Sequence, residues 1–129
     1  YRCLQAAEKL SEKGIEVTVV NARFVKPLDK ELILELIRNH KLIITAEDHA
    51  LMGGFGSAVL ELVSDERENV NKILRMGIPD RFIEHGPRNL MLKNIGLDEG
   101  GIADKFITTL DLMNIRGSFT KTGKQRLSV

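Results

Sequence analysis

Apolar and polar positions along this chain follow two periods that alternate from one end to the other. Over residues 1–13, Leu4, Ala7 and Leu10 recur at helical spacing, Glu8, Lys9, Glu12 and Lys13 mark a solvent face, and Gly14 stands where a helix-ending glycine belongs. Ile15, Val17, Val19 and Val20 then read as a β-branched strand, which the chain leaves through Asn21 to Phe24. Pro27 sets up a second helix, with Asp29 at its N-terminus and Leu32, Ile33, Leu36 and Ile37 as its buried stripe. The stretch over residues 41–62 organises the rest. Leu42, Ile43, Ile44, Thr45 and Ala46 form a nearly unbroken apolar run, the pattern of a strand covered by helices on both faces. It ends abruptly at Glu47, Asp48 and His49, where the strand is expected to leave the sheet. Gly53, Gly54 and Gly56 allow a tight turn before helical spacing returns over residues 57–63.

Residues 64–71 are acidic and polar and read as a loop, after which Ile73, Leu74 and Met76 predict a third strand ending at Gly77. Residues 78–86, IPDRFIEHG, have neither period; Pro79 and Gly86 bracket a shaped loop. A short helix is expected over residues 90–95, and Asp98 can cap a last one in which Ile102, Phe106, Ile107 and Leu110 face the core. Residues 113–129 form a basic, polar tail without sustained period, expected as a mobile tail or an edge strand. Strand and helix alternating in this way predict an α/β fold, a mainly parallel sheet between two helical layers with right-handed crossovers. Three strands is few for such a sheet.

Composition narrows the function classes. At 129 residues the chain is one ordinary domain, and 19 basic against 18 acidic side chains leave no broad field for nucleic acid or an anionic membrane. The single cysteine, Cys3, excludes an internal disulfide and fits a reducing compartment. No apolar run approaches the roughly 20 residues of a membrane helix, and no segment resembles a signal peptide. A cytoplasmic setting is expected, or an organelle of the plastid type.

Candidate chemistry gathers at the strand ends, where ligands and partners of open α/β sheets bind. Glu47, Asp48 and His49 read either as an acid/base cluster or as a solvated or interface rim. The turn at Gly53, Gly54 and Gly56 can present amides to an anion or can serve close strand–helix packing; it has neither dinucleotide-site nor P-loop spacing. Asp80, Arg81, Glu84 and His85 read as an ion-paired loop that fixes its own shape or as a ligand site. The three histidines lack partners at metal-ligand spacing, and nothing marks Cys3 as a nucleophile. Periodicity and spacing stop at a soluble α/β domain with a polar strand-end surface.

Three segments carry a resemblance: VTVVNARFVKPLD over residues 17–29, TAEDHALMGGFGSAVLE over 45–61, and IPDRFIEHG over 78–86, continued by GLDEGGI over 96–102. Together they resemble the C-terminal, transketolase-like domain of the 1-deoxy-D-xylulose-5-phosphate synthase family, over residues 1–112. The first two patterns are also similar to transketolases and to 2-oxoacid dehydrogenase β subunits; NARFVKPLD joined to IPDRFIEHG points to the synthases. The resemblance implies a thiamine diphosphate- and Mg²⁺-dependent transferase that condenses pyruvate with glyceraldehyde 3-phosphate, releasing carbon dioxide, on the way to isoprenoid precursors. The family's metal-binding GDG motif does not occur here. The resemblance therefore implies no catalytic, cofactor-binding or metal residue in this chain, no cofactor bound by it alone, and no turnover.

What it implies instead is assembly with upstream domains and a second subunit of a homodimer. Glu47, Asp48, His49, Gly53, Gly54, Gly56, Asp80, Arg81, Glu84 and His85 are the candidate contacts. It also implies that the strand opening the family sheet, which lies between the first two strands seen here, is missing. The gap is then expected to be filled by another segment or chain, because unpaired buried amides cost roughly 1 to 3 kcal/mol each. An autonomous module recognising a partner or small anion is the competing reading.

Overall fold

The computed structural model describes residues 1–113 and the backbone of Leu127 and Ser128. Among the described residues five α-helices and four strands follow in the order α1 (Arg2–Ser11), β1 (Val17–Thr18), α2 (Lys30–Asn39), β2 (Ile43–Ala50), α3 (Phe55–Asp65), β3 (Ile73–Ile78), α4 (Arg88–Asn94), α5 (Glu99–Leu112) and β4 (Leu127–Ser128), with a 3-10 turn at Val70–Lys72 leading into β3. The strands form one parallel sheet in the order β1-β4-β2-β3.

Helix ends lie where local chemistry places them. Gly14 takes the left-handed conformation (φ 74°) and its amide donates to the Ser11 carbonyl, ending α1. Asp29 caps α2 by accepting from the Leu32 amide at 3.1 Å, and Asp98 caps α5 by accepting from the Gly101 amide at 2.9 Å. The apolar stripes then sort the helices onto two faces of the sheet. On one face α1, α4 and α5 bury Leu10, Leu92, Phe106 and Leu110 against Ile44 and Met76. On the other, α2 and α3 bury Ile37, Val59 and Val63 against Ile43. Each large side chain buried in these layers contributes on the order of 2 kcal/mol. The three-layer α/β/α expectation stands.

Three expectations about strands need correction. The first strand was expected over residues 15–20, but it spans Val17–Thr18, which pair with Leu127 and Ser128. The second strand does not leave the sheet at Ala46 and runs on through Glu47, Asp48 and His49 to Ala50. Its pairing with β3 jumps from Ala46↔Met76 to Ala50↔Ile78, so three residues face one, Gly77. A side chain at Gly77 would put its Cβ 3.0 Å from both Glu47 Cγ and the His49 carbonyl; glycine makes room for the bulge. Finally, Leu127 and Ser128 are not an edge strand: β4 lies inside the sheet, between β1 and β2. The rest of the expected tail, residues 114–126 and 129, falls outside the described residues.

Candidate functional site at the strand ends

The bulge determines what the acidic cluster can do. It sends the Glu47 side chain back over the start of α3, where one carboxylate oxygen accepts from the Phe55 amide at 2.6 Å and the other from the Gly56 amide at 2.9 Å. These are amides a helix leaves unpaired at its N-terminus, and a carboxylate there also meets the positive end of the helix dipole. The amides that an external anion would need are thus used by the chain itself. This contact starts α3 at Phe55, ahead of the expected residue 57. It also explains two of the glycines: a Cβ at Gly54 would lie 2.1 Å from Glu47 Oε2 and 2.5 Å from the Ala50 carbonyl, and one at Gly56 would lie 2.5 Å from Thr45 Oγ1. Gly53 serves the turn through its left-handed conformation (φ 70°).

A second set of contacts, which the sequence reading missed, locks the same corner. Arg75 Nη1 donates to Ser57 Oγ at 2.7 Å and to the Leu51 carbonyl at 3.2 Å, while Ser57 Oγ accepts from the Gly53 amide at 3.1 Å. Arg75 breaks the apolar run of β3, in ILRMGI, and that single charge among apolar neighbours was the available signal. Asp48 is exposed and pairs with the Arg88 guanidinium, joining the end of β2 to the start of α4. His49 is exposed, its Nδ1 3.3 Å from the Ala50 carbonyl.

The loop over residues 78–86 behaves otherwise. Asp80, Arg81, Glu84 and His85 are all exposed, and among the described residues none of them makes an ion pair. The ion-paired reading is therefore corrected: in full solvent such pairs are worth too little to hold four long side chains in place. What shapes the loop near its start is backbone, the Arg81 amide donating to the Pro79 carbonyl at 2.8 Å. Phe82 projects wholly into solvent, and Met52, after β2, and Phe24, after β1, are exposed as well.

No nucleophile meets a base at this site, and among the described residues no three of His, Cys, Asp and Glu come together as a metal site. The Cys3 thiol is half-buried, and burial pushes its pKa up, away from nucleophilic use. Among the described residues, the buried side-chain atoms His40 Nε2 and Thr45 Oγ1 have no hydrogen-bond partner. The arrangement can hold one surface rigid and present another.

Residues 1–102 match the family described as "Transketolase, C-terminal domain". Over 100 residues the chain is 57% identical to 1-deoxy-D-xylulose-5-phosphate synthase 1 of Geobacter sulfurreducens, covering 78% of this chain and 16% of that protein. Over 111 residues it is 44% identical to the synthase of Halothermothrix orenii, covering 86% of this chain and 18% of that one. Among solved structures it is similar to a chain described as "Split gene transketolase, inactive beta4 tetramer", with a TM-score of 0.76 and 32% identity, covering 86% of this chain and 36% of that one. The chain thus spans less than a fifth of the length of the curated relatives it matches.

Proposed function

The chain belongs to the transketolase C-terminal domain family, and from that membership we propose that it serves as the C-terminal domain of a 1-deoxy-D-xylulose-5-phosphate synthase. The observation that carries the reading is the 57% identity over 100 residues to a synthase. In this reading the parent enzyme condenses pyruvate with glyceraldehyde 3-phosphate and uses thiamine diphosphate and Mg²⁺. The described residues do not fit that cofactor: they hold no metal cluster, and the glycine-turn amides are taken by Glu47. No chemical step is assigned to them. No described helix is long and apolar enough to cross a membrane, and we place the parent enzyme in the cytoplasm, or in a plastid-type organelle in a eukaryote.

The domain's work is then assembly. Asp48, His49, Gly53, Asp80, Arg81, Glu84 and His85 lie on the exposed rim that packs against upstream domains or the second subunit of a homodimer. Glu47, Gly54 and Gly56 hold that rim in shape from beneath. Exposed Met52 and Phe82 beside these polar groups support the reading, since large apolar side chains ringed by polar ones are what an interface leaves on a separated piece. The similar structure's description as an inactive tetramer fits a domain that assembles without catalysing.

A chimera tests this. The matching segment of the Geobacter sulfurreducens synthase is replaced by residues 1–102, and condensation of pyruvate with glyceraldehyde 3-phosphate is assayed. Retained activity is expected; a soluble, folded chimera without it overturns the reading. The chain by itself is expected to give no heat on titration with thiamine diphosphate and Mg²⁺.

A further inference from the structure

Arg75 sits within β3, yet its charged end works on the turn that follows β2. Its methylene stem lies across the start of α3, where a Cβ at Gly56 would come 3.0 Å from both Arg75 Cγ and Cδ. Its Nη1 then donates to the Leu51 carbonyl at 3.2 Å and to Ser57 Oγ at 2.7 Å. Ser57 Oγ in turn donates to the same carbonyl at 3.2 Å and accepts from the Gly53 amide at 3.1 Å. From the other side the Leu51 amide donates to the Ile78 carbonyl at 2.9 Å, and the Gly54 carbonyl accepts from the Ser57 amide at 3.1 Å. Leu51, Gly53 and Gly54 are each tied to the frame. Between them stands Met52, 67% exposed.

The layer that Arg75 crosses does not need its guanidinium. The rest of β3 is apolar, and among the described residues Arg75 makes no ion pair. Methionine would lay an unbranched stem over Gly56 equally well, without holding a charge half out of water. What arginine alone supplies is a nitrogen that reaches the turn. A surface turn loses little by moving, and ordering it costs conformational entropy that solvent does not return. Order is useful where a partner meets the turn, because a surface already held in its bound shape loses less freedom on contact. We infer that Arg75 is a positioning residue for assembly: it fixes the turn over residues 51–54 so that Met52 enters an apolar pocket on the facing surface of the parent enzyme. That role rests on the assembly reading above. It adds to that reading the side chain that makes the contact and the one that aims it.

Amide exchange on the full chain is the first test, comparing wild type with Arg75→Met and Arg75→Lys. Arg75→Met is expected to speed exchange of the Leu51 and Gly53 amides at least about tenfold, while the melting temperature stays within about 5 °C. Arg75→Lys, whose nitrogen ends one bond short, should restore part of the protection. The same substitutions are then made in the chimera described above. There Arg75→Met and Met52→Ala should each lower specific activity at least about fivefold with KM for pyruvate unchanged. The double variant should be no worse than the poorer single one, since Arg75 acts through Met52. Unchanged exchange at Leu51 and Gly53 overturns the inference. So does a larger fall in melting temperature, which would make Arg75 a prop of the fold, and so do additive losses in the double variant. A chimera inactive before any substitution overturns the synthase reading, whereas an active one indifferent to Arg75→Met or to Met52→Ala overturns this inference alone.

Discussion

The two edges of β2 are treated in opposite ways. Toward β3 the strand is paired from Ile43 to Ala50, and the irregularity at its end is absorbed by side chains, Glu47 reaching the amides of α3 and Arg75 reaching Ser57 and Leu51. Toward β1 it has, among the described residues, one pair, Ile43↔Ser128, and beyond it lies a slot lined by Thr45, whose hydroxyl has no partner among those residues. Thr45 and Glu47 are two residues apart, yet among the described residues the Thr45 hydroxyl has no partner and the Glu47 carboxylate has two. The finished edge draws its partners from residues 43–78, close in sequence. The other edge draws on a strand about 85 residues away, of which Ser128 is the residue that pairs with β2 among the described ones. Local segments complete themselves here, whereas the opposite half of the sheet depends on a distant strand.

The sharpest way to break this contrast is to spoil the finished edge. Glu47→Ala removes both carboxylate bonds to the start of α3 and the charge that meets its dipole. A loss of about 2 to 3 kcal/mol is expected in urea unfolding. Glu47→Gln keeps one acceptor oxygen and should lose less. If Glu47→Ala unfolds within about 0.5 kcal/mol of wild type, the corner is no more rigid than the slot and the comparison fails. The same operation on the other edge should change sign. Thr45→Val deletes a buried hydroxyl that has no partner among the described residues and keeps the side chain's shape, so stability should rise by about 1 kcal/mol. A loss of that size instead would mean that the hydroxyl is satisfied and that this edge is finished too.

How far such differences can be read from residues alone depends on distance along the chain. The apolar run from Leu42, the stripes of α2 and α5, and the caps at Asp29 and Asp98 are local, and they lie where their spacing placed them. The glycine at 14 ended its helix as its type suggests. By contrast, Glu47 looked like a rim group because its partners, Phe55 and Gly56, come within reach only through a bulge that Gly77 permits. Arg75 acts on Ser57, 18 residues earlier, and no local period encodes that pairing. β1 carries the β-branched residues of a longer strand, yet strand length is a property of two chains of amides, and the ladder described here joins Val17 and Thr18 to a strand from the far end of the chain, Leu127 and Ser128. The exposed candidates of the 78–86 loop show the converse: their charges were visible, and nothing in the fold gathers them.

The smallest expected effect concerns Cys3, on the wall of the slot. Burial raises its thiol pKa, because taking the thiolate out of water costs more than its neighbours return. Between the ordinary thiol value near about 8.5 and the higher folded value, the folded chain therefore binds more protons than the unfolded one. The sign follows: the contribution to stability is present in full below the ordinary value and is lost as pH rises toward and through the folded one. The effect stays small because Cys3 is only half-buried and water screens part of it. Unfolding profiles of wild type and Cys3→Ala from about pH 7 to about pH 10 isolate it, since every other titrating group is common to both. Wild type should lose ground to the variant only in the alkaline half of that range. Parallel profiles throughout would mean that the thiol is as well hydrated as in the unfolded chain, and hence that the slot's wall on the α1 side is already wet.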